Sequence, residues 1–157
     1  MYNWRYLLDT ADVKKYCDTL QKNCIAKLRY EGAFIIGFIS ARGKTAFFCH
    51  PQSGDIISRN CGFFILEDNG SLEWSPFVEG NMIPARAVCA NPLLNSNRLY
   101  FGCLAIPNEH IFGAVLDSGM CCFPLEQSTL LVQPDAILVR KISFRHNDSC
   151  IIEIEGP

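Results

Sequence analysis

The chain has 157 residues, 14 basic and 16 acidic side chains, a net charge of −2 and 49% hydrophobic residues. That length fits one domain or two small repeats sharing a core, and the hydrophobic share excludes a wholly disordered chain. Sparse, mixed charge gives no electrostatic footprint for nucleic acid or an anionic membrane surface, and no apolar run is long enough to span a bilayer as a helix.

The N-terminus, MYNWRYLLDTADVKK, lacks the basic lead, apolar stretch and small-residue cleavage site of a signal peptide. The expectation is a cytoplasmic protein, with unconventional secretion as the other route. Asp9 is placed to cap a short helix in which Val13, Tyr16, Cys17 and Leu20 recur at the helical interval. Beyond it the chain reads as short strands between turn residues. Ala33 to Ile39 and Thr45 to Cys49 are the first strands of this kind. Gly62 to Glu67 runs through Asp68-Asn69-Gly70-Ser71 into Leu72 to Trp74, a pattern that predicts a hairpin because Asn-Gly tolerates positive φ. Arg98 to Leu104 and His110 to Leu116 follow. Ala136 to Phe144 and Cys150 to Glu155, flanking a polar turn, predict a second hairpin. Turns every eight to twelve residues or so are the mark of a sandwich, barrel or prism.

Nine cysteines are present, with no Cys-x-x-Cys. An odd count inside apolar runs suits reduced, buried thiols acting as small hydrophobes, and the spacing offers no zinc site. No metal or cofactor is expected. Arg42-Gly43-Lys44-Thr45 lacks the earlier glycine of a phosphate loop, since position 38 is Phe.

The chain also resembles itself. Phe34 to Ile39 lies on Leu99 to Leu104, Phe47 on Phe112, and Phe63 to Leu66 on Ala136 to Val139, with Trp4 and Trp74 near the start of each copy. This predicts residues 1–73 as a first, divergent β repeat and 74–157 as a second β repeat plus a C-terminal hairpin. Neither half is large enough to bury a core alone. The fold expected is all-β, two tandem repeats packed or intertwined into one sandwich- or prism-like unit, with one short N-terminal helix.

In the second copy the order is Trp74, Gly80-Asn-Met-Ile-Pro84, Ala85-Arg-Ala-Val88, Leu99-Tyr-Phe-Gly102, Gly113, then Ala136-Ile-Leu-Val139. This resembles the DM-nine repeat over most of residues 74–140. The resemblance implies a non-enzymatic, self-associating lectin for mannose-containing glycans, in which an acidic residue and a lysine hold sugar hydroxyls. In the second copy Ala90-Asn91-Pro92-Leu93 and Gly113-Ala114 stand where the acid and the lysine belong. The first copy offers Glu31 and Lys44 instead.

Independently of that resemblance, sugars stack on aromatic faces and bond to amides and carboxylates around them. Trp74, Tyr100, Asn91, Asn95, Asn97, Glu109 and His110 are residues of the right types. The carbohydrate-binding residues expected are therefore Glu31, Lys44, Asn91, Glu109 and His110, with a homo-oligomer supplying avidity. The alternative is a protein-interaction or scaffold module that has lost sugar binding, which the missing acid and lysine of the second copy favour.

Overall fold

The computed structural model describes residues 2–93, 98–144 and 152–154. Strands β1 (Tyr2–Leu7), β2 (Cys24–Tyr30), β3 (Ala33–Ile39), β4 (Ala46–Cys49), β5 (Ile56–Arg59) and β6 (Phe63–Asp68) form one antiparallel sheet in the order β1-β6-β2-β3-β4-β5. Strands β7 (Leu72–Pro76), β8 (Tyr100–Ile106), β9 (Glu109–Val115), β10 (Cys121–Leu125), β11 (Ser128–Val132) and β12 (Ala136–Arg140) form the second, in the order β7-β12-β8-β9-β10-β11. The two orders are the same path traced twice. Helix α1 (Thr10–Cys17) follows β1, and β13 (Ile142–Phe144) pairs with β14 (Ile152–Ile154) as the final hairpin, whose turn lies outside the described residues.

Strand registers give residue equivalences between the halves. Ala26 faces Gly37 and Ile65, as Gly102 faces Gly113 and Ile137. Trp4 faces Leu66, as Trp74 faces Leu138. So Trp4 corresponds to Trp74, Ala26 to Gly102 and Gly37 to Gly113. At its first hairpin the internal match read from the sequence is one strand out of phase: β3 corresponds to β9 and Phe34 to His110, not to the strand containing Leu99 to Leu104. Both candidate strands carry a glycine among aromatic and aliphatic residues, so composition could not tell them apart; pairing partners do. Nor are the halves intertwined, since each sheet takes all its strands from one contiguous stretch. The second sheet opens at Leu72, slightly ahead of the boundary expected after residue 73.

The expected hairpin at Asp68 to Ser71 is instead the crossing between sheets, because β6 pairs with β1 and β2 while β7 pairs with β12. The Asp68 carboxylate explains the turn. It accepts from the backbone N–H of Gly70 (3.2 Å), Ser71 (2.9 Å) and Leu72 (3.2 Å) and from the Ser71 hydroxyl (2.8 Å). Those four donors redirect the chain without cross-strand pairs. Desolvation pushes the Asp68 carboxyl up, but the bonds from Ser71, Leu72 and Gly70 outweigh it and hold the group below its ordinary value.

Packing explains the rest. The sheets meet through β3 on β9 and β4 on β10, with Phe38 edge-on to Phe112 at 6.4 Å. The outer face of the first sheet is covered by α1, whose buried Val13 joins Leu7, Leu28, Ile35, Phe48, Phe63 and Ile65. The helix starts where the Asp9 carboxylate accepts from Asp12 N–H at 2.9 Å, as the sequence led one to expect; Leu20 lies beyond its end.

Two buried asparagines tie the halves. The Asn91 amide accepts from Phe34 N–H (2.9 Å) and donates to Phe34 C=O (3.0 Å). Asn23 donates to His110 C=O (2.8 Å) and accepts from Ala41 N–H (3.0 Å). Phe34 and His110 are equivalent positions, so each half clamps the same point of the other.

Asn91→Ala should destabilise the fold by about 2 kcal/mol in urea unfolding, because it strands two backbone groups. Gly37→Ala and Gly113→Ala should cost more, on the order of 3 kcal/mol, since a Cβ there would run into the carbonyl of Phe47 or of Cys122 on the adjoining strand. Near-wild-type unfolding midpoints for all three would contradict the packing described.

Candidate binding cleft at the junction of the halves

A cleft of about 600 Å³ opens where the halves meet. The first half contributes Gln21, Lys22 and Asn23 from the entry to β2, and Ala41 and Arg42 from the exit of β3. The second contributes Trp74 from β7, Cys103 from β8, Asn108 from the β8–β9 turn, Glu109, His110 and Phe112 from β9, Asp135 just before β12, and Ala136 at its start. The Asn23 clamp therefore lies in the cleft wall, and the same hydrogen bonds that join the halves shape the site.

Trp74 sits on an edge strand and is 37% exposed. Its ring stacks on Phe112 at 5.7 Å with an interplanar angle of 18°, which holds the indole in place. The Asp135 carboxylate accepts from Ala105 N–H at 2.8 Å. Among the described residues Lys22, Arg42 and Glu109 form no ion pair. Burial, then the neighbouring Asp135 charge, push the Cys103 thiol up to about 11, so it is a neutral apolar wall near pH 7. Two cations and two carboxylates line the cleft, a formally balanced set.

The residues expected from sequence divide three ways. Glu109 and His110 are brought together in this cleft, with Trp74 beside them. Glu31 and Lys44 are separated: Glu31 occupies the β2–β3 turn with φ of 51°, followed by Gly32 at 84°, whereas Lys44 lies past the other end of β3. A seven-residue strand spans roughly 20 Å, too far for one sugar ring. Glu31 instead borders a separate surface hollow of about 540 Å³ with His50 and Asp55. Asn91 is buried, its amide committed to Phe34. Asn95 and Asn97 lie outside the described residues. Arg42, Asn108 and Asp135 were missed, being ordinary turn residues in sequence; only the sheet-to-sheet approach gathers them.

On the first half, Lys27 lies among aromatic rings. Its Nζ is 4.2 Å from the Phe34 centroid, 4.4 Å from Trp4 and 5.8 Å from Phe64. Burial, and secondarily Arg29, lower its ammonium to about 8. Across the sheet interface, the Cys49 and Cys122 thiols influence each other's ionisation. The neighbouring thiol lowers Cys49 and raises Cys122, and the Thr129 hydroxyl lies 3.4 Å from Cys49 Sγ. Eight of the cysteines are free thiols, and the described residues contain no group of three or more metal-ligating side chains. No helix among the described residues is long and apolar enough to cross a membrane.

No family model, curated protein or solved structure matches the chain.

Because Lys27 titrates below its unfolded value, the folded state binds fewer protons than the unfolded one between about pH 8 and the ordinary lysine range. Stability should therefore rise with pH across that window. Measured against Lys27→Met, the wild type should gain in stability as pH rises from 8 to about 10; a constant difference would count against the lowered ammonium. Native alkylation read by mass spectrometry should label half-buried Cys17, Cys61 and Cys89 before buried Cys49, Cys103, Cys121 and Cys122. Preferential labelling of Cys49 would instead point to an accessible, activated thiol.

Proposed function

We propose that the protein is a non-enzymatic carbohydrate-binding protein whose ligand lies in the cleft between the two halves. The observation that carries this reading is the fixed, partly exposed Trp74 face with carboxylates, an amide and cationic donors arranged around it. A pyranose has one C–H face that shields an indole from water and a rim of hydroxyls that both donate and accept. Glu109 can accept from hydroxyls, and Lys22 and Arg42 can donate to ring and hydroxyl oxygens, all as charge-assisted bonds. A cleft of about 600 Å³ is within the usual range for small ligands. The balanced charge suits a ligand without large net charge.

The DM-nine resemblance makes mannose-containing glycans the first class to try, although the acid and lysine of that resemblance stand apart here. A single shallow site binds weakly, so self-association would supply avidity. A second reading, a protein-interaction module, draws on the exposed Val78, Met82 and Leu93 in the β7–β8 connection.

A glycan array followed by calorimetry on the best hit decides between them. Trp74→Ala should weaken glycan binding about tenfold or more, the loss of one well-placed stacking contact. If no glycan is retained, the reading fails. A protein partner whose binding survives Trp74→Ala and is lost with Met82→Ser would establish the second reading instead.

A further inference from the structure

The two halves hold two versions of one site. By strand register Trp4 corresponds to Trp74, Lys27 to Cys103, Phe34 to His110 and Phe64 to Ala136. In the first half these are the members of the Lys27 cage. In the second half the same four positions line the cleft. The first half fills the space beside its tryptophan with its own lysine chain and a phenylalanine. The second replaces both with short side chains, and a cavity opens there.

We infer that the cleft beside Trp74 receives a ligand ammonium in the place that Lys27 takes beside Trp4, and that among sugars it selects amino sugars with a free amine. This rests on the carbohydrate reading above and deepens it. The internal copy shows what the tryptophan slot accommodates: an ammonium 4.4 Å from the ring centroid, within cation–π range. The second half also adds what a free cation needs and a tethered one goes without. Glu109 stands in register where the first half has Ala33, and Asp135 precedes β12 where the first half has Phe63. Trp74, Glu109 and Asp135 all come from the second half, whereas Lys22 and Arg42 come from the first. Charge is thus divided across the cleft. An ammonium is favoured on the Trp74 side, and the opposite wall offers donors to sugar oxygens.

The test is calorimetric titration with a β-linked glucosamine oligosaccharide, its fully N-acetylated counterpart, a mannose oligosaccharide of equal length, and n-butylammonium as a bare cation. The free-amine oligosaccharide should bind about tenfold more tightly than the acetylated one, a difference within the reach of one desolvated cation–π contact and one carboxylate. Glu109→Gln should reduce that ratio several-fold. Cys103→Lys should fill the slot and abolish binding; if that buried substitution prevents folding, Glu109→Gln carries the test alone. Equal affinity for the amine and acetylated forms, or binding of mannose alone, would overturn the ammonium inference and leave the carbohydrate reading standing. Binding of butylammonium at the Trp74 indole, followed by NMR, with no sugar bound would support the ammonium slot and sink the carbohydrate reading. No binding by any probe would sink both.

Discussion

The fold depends on the reciprocal amide clamp between its halves. Asn23 and Asn91 are buried, and each reaches the backbone of the other half at an equivalent strand position. A buried amide without partners costs about 1–3 kcal/mol, and so does each backbone group it would leave unpaired. The halves therefore have a strongly preferred mutual position. Hydrogen bonds of 2.8 to 3.0 Å between the halves are directional and tolerate little displacement, so they add to the packing of β3 on β9 in fixing that position.

That constraint creates the cleft. Asn23 sits between β3's exit and β9's start, so satisfying its amide brings Ala41 and Arg42 opposite His110 and Glu109. The site is a product of docking the halves, and no residue set within one half would make it. Its shape rests on hydrogen bonds that also hold the molecule together.

The two halves follow one strand path and are structurally parallel but chemically different. Each has a tryptophan on the strand at the same end of its sheet, but Trp4 has Lys27 Nζ over its ring and Phe101 of the other half 5.3 Å away, while Trp74 is 37% exposed. Positions 37 and 113 are both glycine, where each strand meets a neighbour's carbonyl at the place a Cβ would stand. The thiols follow the same logic of packing. Cys103, Cys121 and Cys122 are small and buried thiols that pack as apolar side chains, and Cys49, equally buried, also contacts the Thr129 hydroxyl.

Much of the local structure was legible in the residues. Alternation and turn chemistry located β3, β6, β9 and β12, and Asp9 announced the helix, because these signals are carried by neighbours in sequence. The all-β class and the doubling of the unit were readable for the same reason. The phase of the repeat was not, since the choice between β8 and β9 as partner for β3 depends on hydrogen-bond register. Nor could the sequence reveal that Asp68 to Ser71 crosses between sheets, because an Asx turn and a hairpin share the same residues. The pairing of Glu31 with Lys44 was undone by the length of one strand, and Asn91 by its use as a clamp. Sequence by itself determined which segments are strands and which side chains carry aromatic, amide and charged groups. Only the tertiary structure decided which of those side chains meet, because the cleft is assembled by hydrogen bonds between residues far apart in the chain.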